Sequence, residues 1–360
     1  MRRRLKRIAL SVARVMGART HDHLARALAG VGCIFRMHRV VARKSDSAAR
    51  HLTITAGFLD EALGFMRDAG VEFISLSALG ERLASGGSFE RPAVCLTFDD
   101  GYRDNLTLAL PILRKHQAPA TIFTPSGAPD RNMDVWFLRL ENAIMARDEI
   151  RLDAPGLPPV LRTDTAGRKS RAYELVSSFV HRNIDANKSL IARLSPHGQI
   201  SDEALAADFF ATWDELRELA DDPLVTIGCH TVSHPVLRNL SEREAFFEMT
   251  AGRDRLSAEL NRPVKLFSYP YGGRAEIGRR EIRLAERAGF DLAVTTYDGN
   301  IRRGGGASRF DLPRMTLGGV REDIGAVAMD VFGGRDLVAN RSGFLRPAAN
   351  PRSAILNERM

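Results

Sequence analysis

Two pairs of side chains in this sequence have the residue types and spacing of a hydrolytic metal site. Asp99 and Asp100 follow the apolar run AVCLTF, and His230 and His234 follow a second apolar run, VTIGC. Two imidazoles and one carboxylate, with a further position open to water, are the ligand set of a catalytic zinc. The second carboxylate is then available to take a proton from the water. Hydrolysis of an amide or an ester is the chemistry that these residue types predict.

The place of these residues at strand ends is what would bring them together. Each apolar run has the β-branched residues and the length of a buried strand. Successive strand residues point to opposite faces, so Asp99 and Asp100 need not have the same task. Taken singly, the DDG motif also fits a helix cap, and the HxxxH spacing also fits core or capping histidines. On two strand ends of one fold, the two motifs together predict a site.

The rest of the chain alternates predicted strands with predicted helices. This rhythm indicates an α/β fold, a parallel barrel of about eight strands whose site lies at the carboxyl ends of the strands. The predicted helices of the barrel are residues 57–69, 79–84, 106–116, 242–259, 278–288 and 323–331. The predicted strands are CIFRMHRV, VEFISL, AVCLTF, ATIFTP, VTIGCH, VKLFSYPYGG, LAVTT and DLPRMTL.

One long segment, residues 130–222, interrupts the alternation. It is predicted to be mostly helical, over 136–147, 171–194 and 202–220, and to form a cap or small subdomain inserted in the barrel. We identify no catalytic constellation in it. His181 and His197 stand singly among charged neighbours, which favours solvated surface.

The charge of the chain is concentrated at its amino terminus. The formal net charge is +8, but the first twenty residues contain seven basic residues and no acidic ones, so the body is close to neutral. This distribution does not favour nucleic acid as a partner. Residues 1–32 predict a basic amphipathic helix, either docked on the body or resting on an anionic membrane surface. Residues 33–341 are the predicted barrel domain, and residues 342–360 are a predicted disordered tail.

The amino-terminal segment does not have the pattern of a secretory signal. Arg14 interrupts its apolar stretch, and no Ala-x-Ala cleavage site follows. We therefore expect a cytoplasmic protein, peripheral at the inner membrane surface if the basic helix binds lipid. Cys33, Cys95 and Cys229 lie in apolar runs without CxxC spacing, which predicts buried thiols rather than disulfides or a thiolate metal site.

Three stretches, LTFDDGY, HTVSHP and SYPYG, resemble in this order the first three motifs of the polysaccharide deacetylases, the NodB-homology enzymes of carbohydrate esterase family 4. The resemblance spans roughly residues 33–330 and implies a deformed (β/α) barrel. It also implies that Asp99 is the general base and that Asp100, His230 and His234 hold a divalent metal. Zinc (Zn2+) is the expected metal, although this ligand set also accepts cobalt, nickel or manganese.

The third motif carries the groove residues of the family. The resemblance implies that the backbone N–H of Tyr271 helps to bind the oxyanion and that Pro270 fixes the turn before it. Tyr102, which ends the first motif, is a predicted substrate contact. Arg314, in the strand-end sequence LPRM, is a further substrate-binding candidate.

The sequence departs from the family pattern at two places. The family usually has an arginine two residues before the proline of the third motif, where this chain has Ser268; Arg274 and Arg314 are the candidates to replace it. The late Leu-x-His motif that supplies the general acid is missing, because no histidine follows His234. His38, in FRMHRV, resembles the YHxV element of the circularly permuted branch of the family. Because the first and last strands of a closed barrel are neighbours, His38 is the predicted general acid.

The function that the resemblance implies is metal-dependent removal of N-acetyl groups from the amino sugars of a poly- or oligosaccharide, so an N-acetylated glycan is the expected partner. An O-acetyl carbohydrate esterase is an alternative, because an alkoxide leaves more readily than an amine anion. A glycan-binding pseudoenzyme is a second alternative. The complete set of Asp99, Asp100, His230 and His234 argues against a pseudoenzyme.

Overall fold

The computed structural model of the chain describes residues 31–87, 89–182, 184–194, 201–301 and 308–332. Nearly all of the predicted amino-terminal helix, the predicted carboxyl-terminal tail and His197 lie outside these ranges. Within them, no helix combines the length and the apolar character needed to cross a bilayer.

A curled half-barrel of parallel strands forms the centre of the molecule. In the described part of the chain this sheet has eight strands in the order β11-β10-β9-β6-β5-β1-β12, with β4 also paired to β5. The strands, in chain order, are β1 (Gly32–Met37), β2 (Arg39–Val41), β3 (Thr53–Thr55), β4 (Glu72–Phe73), β5 (Ala93–Phe98), β6 (Ala120–Thr124), β7 (Glu149–Arg151), β8 (Val160–Arg162), β9 (Val225–Cys229), β10 (Leu266–Ser268), β11 (Leu292–Val294) and β12 (Met315–Thr316). The predicted deformed barrel of about seven to eight parallel strands is confirmed.

Helices surround the sheet, and several begin where the sequence places a capping side chain. Ser241 and Glu244 form a reciprocal capping box at the start of the helix Glu242–Glu259, and Thr212 and Glu215 form another at the start of the helix Trp213–Asp221. The helices are α1 (Ala56–Asp68), α2 (Leu76–Ala84), α3 (Leu110–His116), α4 (Trp136–Met145), α5 (Ala166–Arg182), α6 (Ile184–Leu194), α7 (Asp202–Phe209), α8 (Trp213–Asp221), α9 (Glu242–Glu259), α10 (Arg279–Arg287) and α11 (Ile324–Val331).

The central strands are apolar because both of their faces are covered. Every residue of β5 is buried, as the continuous run AVCLTF predicts for a parallel strand between packed layers. Cys33, Cys95 and Cys229 are buried free thiols, in agreement with their positions in apolar runs.

The first predicted strand, CIFRMHRV, is divided at His38. Its first part, β1, pairs with β5 and with β12, so the first and last strands of the sheet are neighbours. Its second part, β2, pairs with β3 outside the central sheet. His38 therefore lies where the chain leaves the sheet, at the carboxyl end of β1.

Residues 130–222 differ from the mostly helical prediction in two respects. The Pro/Gly-rich stretch DAPGLPP lies between β7 and β8, which pair as an antiparallel hairpin. The helix predicted over 202–220 is two helices, α7 and α8, because Phe210 forms a bridge with Tyr102 and Thr212 caps the next helix. The helices of this insertion form an apolar cluster of their own, with Trp136 and Tyr173 among its members.

A buried carboxylate joins the insertion to the barrel. Glu141 on α4 accepts a hydrogen bond from Arg39 Nη1 at 2.9 Å and from the backbone N–H of Ala48 at 3.0 Å. It also accepts a hydrogen bond from the Ser47 hydroxyl. Arg39 and Glu141 are both buried, and theirs is the closer of the two ion pairs of Arg39, since Asp104 Oδ2 lies 3.7 Å from Arg39 Nε.

Replacing Glu141 by alanine is expected to lower the free energy of unfolding by about 3 kcal/mol, because the buried Arg39 guanidinium then keeps only the more distant carboxylate of Asp104, at 3.7 Å. Urea denaturation followed by circular dichroism measures the change. Glu149→Ala is the matched control: its ion pair with Arg151 is exposed, and the expected change is within about 0.5 kcal/mol. Equal losses in the two variants would show that the buried pair does not hold the insertion.

Candidate active site

A cleft of about 390 Å³ opens at the carboxyl ends of the strands. This is the end of the sheet at which the sequence motifs place their polar residues. Most of the predicted site residues line the cleft, namely His38, Asp99, Asp100, Tyr102, His230, His234 and Tyr271. The structure therefore brings together residues that are up to 233 positions apart in the chain, from His38 to Tyr271.

Three of these side chains form a compact donor set. Asp100 Oδ1 lies 3.5 Å from His230 Nε2 and 3.4 Å from His234 Nε2, and one ligand atom from each residue lies within 4.8 Å of the others. His230 Nδ1 is 2.7 Å from the carbonyl oxygen of Ser268, so the ring donates there and its Nε2 faces the other two donors. Two imidazole nitrogens and a carboxylate oxygen in this arrangement fit a divalent metal.

The backbone of the site is held in left-handed conformations. Of seven non-glycine residues with positive φ in the described chain, four belong to the site or its turns: Asp100 (74°), Thr231 (72°), His234 (59°) and Tyr271 (61°). Each such residue costs about 1–3 kcal/mol, which the surrounding structure must offset. Concentration of this strain at the motif turns is typical of a functional site.

Gly101 shows how close the chain packs behind the acid pair. Its φ is +69°, and a Cβ built on it would lie 2.7 Å from the side chain of Thr124 on the neighbouring strand β6. Only glycine combines this backbone conformation with this contact. The glycine of the DDG motif is therefore required by packing as well as by the turn.

Asp99 forms a buried, bidentate ion pair with Arg314. Nη1 donates to Oδ1 at 2.8 Å and Nη2 donates to Oδ2 at 2.7 Å. Burial by itself would raise the pKa of Asp99, but the attraction of the Arg314 guanidinium outweighs it, and the pKa lies well below its usual range. Asp99 is therefore ionised at neutral pH.

Of the two arginines predicted to replace the one that the family usually has, Arg314 is the one that pairs with Asp99. Its Nη2 also donates to the hydroxyl of Ser268 at 3.0 Å, the residue that stands where the family usually has its arginine. Arg274, the other candidate, is exposed, and its guanidinium lies 4.2 Å from the centre of the Tyr297 ring. Arg314 is fully buried and does not line the cleft, so the predicted substrate-binding role does not fit the structure.

His38 lies beside the same carboxylate. Its Nε2 is 4.0 Å from Asp99 Oδ2, and its backbone oxygen accepts a hydrogen bond from the Asn105 side chain at 2.9 Å. Burial lowers the pKa of His38 to about 4, although the nearby carboxylates act in the opposite direction. The ring is therefore neutral at neutral pH before substrate binds.

The groove residues taken from the third motif have different surroundings. The backbone N–H of Tyr271 donates to no acceptor in the part of the chain that the structure describes, and the Tyr271 ring lies 4.9 Å from the His234 ring. Pro270 is buried and does not line the cleft, so it shapes the turn and is not a substrate contact. Tyr102 lines the cleft but is only 1% exposed, with its ring stacked on Phe210.

The insertion forms one wall of the cleft, which the sequence did not reveal. His181, predicted to be solvated surface, lies in the cleft: its Nε2 is 3.0 Å from Glu276 Oε1, and its ring is 4.7 Å from the Tyr271 ring. The prediction was wrong because the surface that bears His181 faces the barrel. A signal was available, since Tyr173, Ser177 and His181 recur at every fourth residue and so share one face of α5.

The comparison with protein families agrees with this geometry. The family model described as polysaccharide deacetylase matches residues 86–162 and 167–293. The chain belongs to the polysaccharide deacetylase family. The match includes both halves of the insertion and the strand ends that carry Asp99, Asp100, His230 and His234.

One named relative of this polysaccharide deacetylase family member shows low sequence identity to it. The poly-β-1,6-N-acetyl-D-glucosamine N-deacetylase of Escherichia coli K12 is 25% identical over 188 residues, which are 52% of this chain and 19% of the relative. This chain therefore matches about a fifth of the length of that protein.

Two solved structures share the fold. The deacetylase PplD of Streptococcus pyogenes is 20% identical, with 80% of this chain and 92% of that chain covered and a TM-score of 0.53. IcaB from Ammonifex degensii is 18% identical, with 83% of this chain and 97% of that chain covered and a TM-score of 0.54.

Replacing Arg314 by methionine is expected to lower the free energy of unfolding by about 3 kcal/mol or more, because Asp99 is left as a buried charge without a partner. Arg314→Met combined with Asp99→Asn should recover part of this loss, since no buried carboxylate charge then remains. Urea denaturation of the single and double variants gives the coupling between the two residues.

Arg274→Met is the control for this cycle, because it makes the same side-chain change at an exposed arginine. We expect its stability to stay within about 0.5 kcal/mol of the natural protein. If the losses from Arg314→Met and Asp99→Asn simply add in the double variant, the assignment of Arg314 as the charge partner of Asp99 is wrong.

Proposed function

We propose that this chain removes N-acetyl groups from the amino sugars of a poly- or oligosaccharide by metal-dependent hydrolysis. The observation that carries the proposal is the donor set of Asp100, His230 and His234, which lies in one cleft with the ionised carboxylate of Asp99. Membership of the polysaccharide deacetylase family supports the class of reaction.

Asp100, His230 and His234 would hold the metal, with zinc as the first choice and cobalt, nickel or manganese as alternatives. When bound, such an ion acidifies a water molecule and polarises a carbonyl oxygen. The chain contributes the orientation of the donors. The hydrogen bond from His230 Nδ1 to the Ser268 carbonyl fixes which ring nitrogen faces the site.

Asp99 is the proposed general base. Arg314 holds both of its oxygens and keeps it ionised, so a proton from the attacking water has a carboxylate ready to receive it. The water oxygen then bonds to the acetamide carbon, and negative charge develops on the carbonyl oxygen. The backbone N–H of Tyr271, which has no protein acceptor in the described chain, donates to that oxygen.

His38 is the proposed donor to the leaving nitrogen. Because the ring is neutral before the reaction, the proton that it delivers must reach it during the cycle. Asp99 has just received the water proton, and its Oδ2 is 4.0 Å from His38 Nε2. When this separation closes to hydrogen-bond length, His38 Nε2 takes the proton from Asp99 and delivers it to the amine nitrogen as the carbon–nitrogen bond breaks; the water oxygen leaves in acetate.

The amino sugar is proposed from a relative. The Escherichia coli protein is named as an N-deacetylase of poly-β-1,6-N-acetyl-D-glucosamine, so N-acetylglucosamine is the first sugar to test here. O-deacetylation is the second candidate, favoured by one observation. Because the pKa of His38 is lowered to about 4, little of the ring is protonated at neutral pH, so the proton that a departing amine requires is scarce, whereas an alkoxide leaves with less assistance.

The experiment is acetate release from N-acetylglucosamine oligomers by purified protein, before and after chelation and zinc readdition. We expect release that chelation abolishes and zinc restores. Asp99→Asn should lower the rate by at least about a hundredfold with unchanged metal content, because it removes the base and not a ligand. His230→Ala should lose the metal itself.

The remaining outcomes separate the alternatives. Release from an O-acetylated glycan alone, by protein that holds about one metal per chain, would identify an esterase. No release from either substrate would favour the glycan-binding pseudoenzyme. Normal metal content in His230→Ala would reject the ligand assignment.

The role of His38 predicts a dependence on the leaving group. His38→Ala should lose about a hundredfold or more of N-deacetylation while it keeps its metal, because the amine then leaves without a proton. The same variant should lose much less activity on an activated acetate ester, whose leaving group needs no proton. His116→Ala is the control, since His116 is paired with Asp60 outside the cleft. Equal losses on the amide and the ester would reject His38 as the acid.

A further inference from the structure

One wall of the cleft carries polar side chains that the proposed reaction does not use. Arg36 lies on β1, two residues before His38, and His51 lies shortly before β3; both line the cleft. Arg36 pairs in register with Thr97 on β5 and Thr316 on β12, so its backbone position is fixed by strands on both sides.

The hydrogen bonds of Arg36 are incomplete. Its Nη2 donates to the Thr316 hydroxyl at 2.8 Å, but its Nε is buried and has no partner. Among the residues that the structure describes, no carboxylate oxygen lies within 4.0 Å of this guanidinium. The nearby carboxylate of Asp99 is already paired with Arg314. Asp298 attracts Arg36 at longer range, but it is exposed.

The charge of Arg36 is correspondingly unfavourable. Burial, together with the repulsion of the nearby Arg314, lowers the pKa of Arg36 to about 10. The group still carries its full charge at neutral pH, in a partly buried position without a close counter-ion. An anion in the cleft, which Arg36 lines, would relieve this cost by supplying the missing counter-charge.

His51 adds a second unsatisfied atom to the same wall. Its Nδ1 is buried and has no hydrogen-bond partner, and its ring lies 5.7 Å from the ring of Tyr173 on the insertion. Burial lowers the pKa of His51 and outweighs the opposite effect of Glu174 and Glu141, so the ring is neutral and can donate one hydrogen bond. Arg36 and His51, which both line the cleft, thus each contain a buried nitrogen without a protein partner.

We infer that the substrate carries an anionic group, a carboxylate or a phosphate, on or next to the N-acetylated sugar, and that Arg36 binds this group with His51. A guanidinium binds either anion with two parallel hydrogen bonds. The inference rests on the proposed function for the sugar, and on Arg36 and His51 for the charge. A neutral glucosamine polymer would leave the charge of Arg36 without a counter-ion.

The test is the binding of three sugars that contain no acetyl group and so report affinity without turnover. Glucosamine, muramic acid and glucosamine 6-phosphate share the amine, and the second and third add a carboxylate and a phosphate. Calorimetry with the zinc-loaded full chain should show that one anionic sugar binds about tenfold to a hundredfold more tightly than glucosamine. If muramic acid binds more tightly than glucosamine 6-phosphate, the anionic group is a carboxylate; if it binds less tightly, the group is a phosphate.

Arg36→Gln should remove this preference and leave the affinity for glucosamine unchanged, and Arg36→Lys should retain part of it because the charge is kept. Arg243→Gln, at an exposed arginine on α9, is the matched control and should bind like the natural protein. Circular dichroism and metal content of each variant establish that it is folded.

No preference for either anionic sugar in the natural protein would overturn the inference. An equal loss for all three sugars in Arg36→Gln would also overturn it, because Arg36 would then support the fold of the cleft and not the recognition of charge. An Arg36-dependent preference without acetate release from any glycan would sustain this inference and reject the proposed function. Acetate release without such a preference would sustain the proposed function and reject this inference.

Discussion

The ion pair between Asp99 and Arg314 is the contact on which the site depends. A carboxylate that is only 2% exposed stays ionised because a fully buried guanidinium holds both of its oxygens. The same guanidinium donates to Thr97 on β5, the strand that Asp99 follows, and to groups at two other strands, Ser268 on β10 and Thr295 after β11. One side chain next to β12 therefore ties together strands from both sides of the curled sheet, and the cleft lies above this junction.

Ser268 connects this junction to the proposed metal ligands. Its hydroxyl accepts a hydrogen bond from Arg314, and its carbonyl oxygen accepts one from His230 Nδ1. The orientation of a proposed ligand and the ionisation of the proposed base thus share one residue at the end of β10. The guanidinium that contacts this serine comes from the segment before β12, a strand that is not paired with β10.

Other parts of the cleft lining come from the insertion and from β1. Trp136, Tyr173 and His181 come from the insertion, which Glu141 anchors to the barrel through Arg39. Arg36 comes from β1, beside the proposed base. The proposed chemistry belongs to the strand ends that carry the family motifs, whereas the proposed recognition of an anionic sugar belongs to Arg36 and His51.

The sequence by itself determined the alternation of strands and helices, the buried strands and the residues at their carboxyl ends. These follow from local rules, since the alternation of apolar residues, the glycine of the DDG turn and the caps each act within a few residues. Only the tertiary structure decided that Arg314 and not Arg274 reaches Asp99, that His181 faces the cleft and that DAPGLPP closes a hairpin. Such contacts join residues that are far apart in the chain, and the curl of the sheet and the packing of the insertion select them among several arginines and histidines of equal local character.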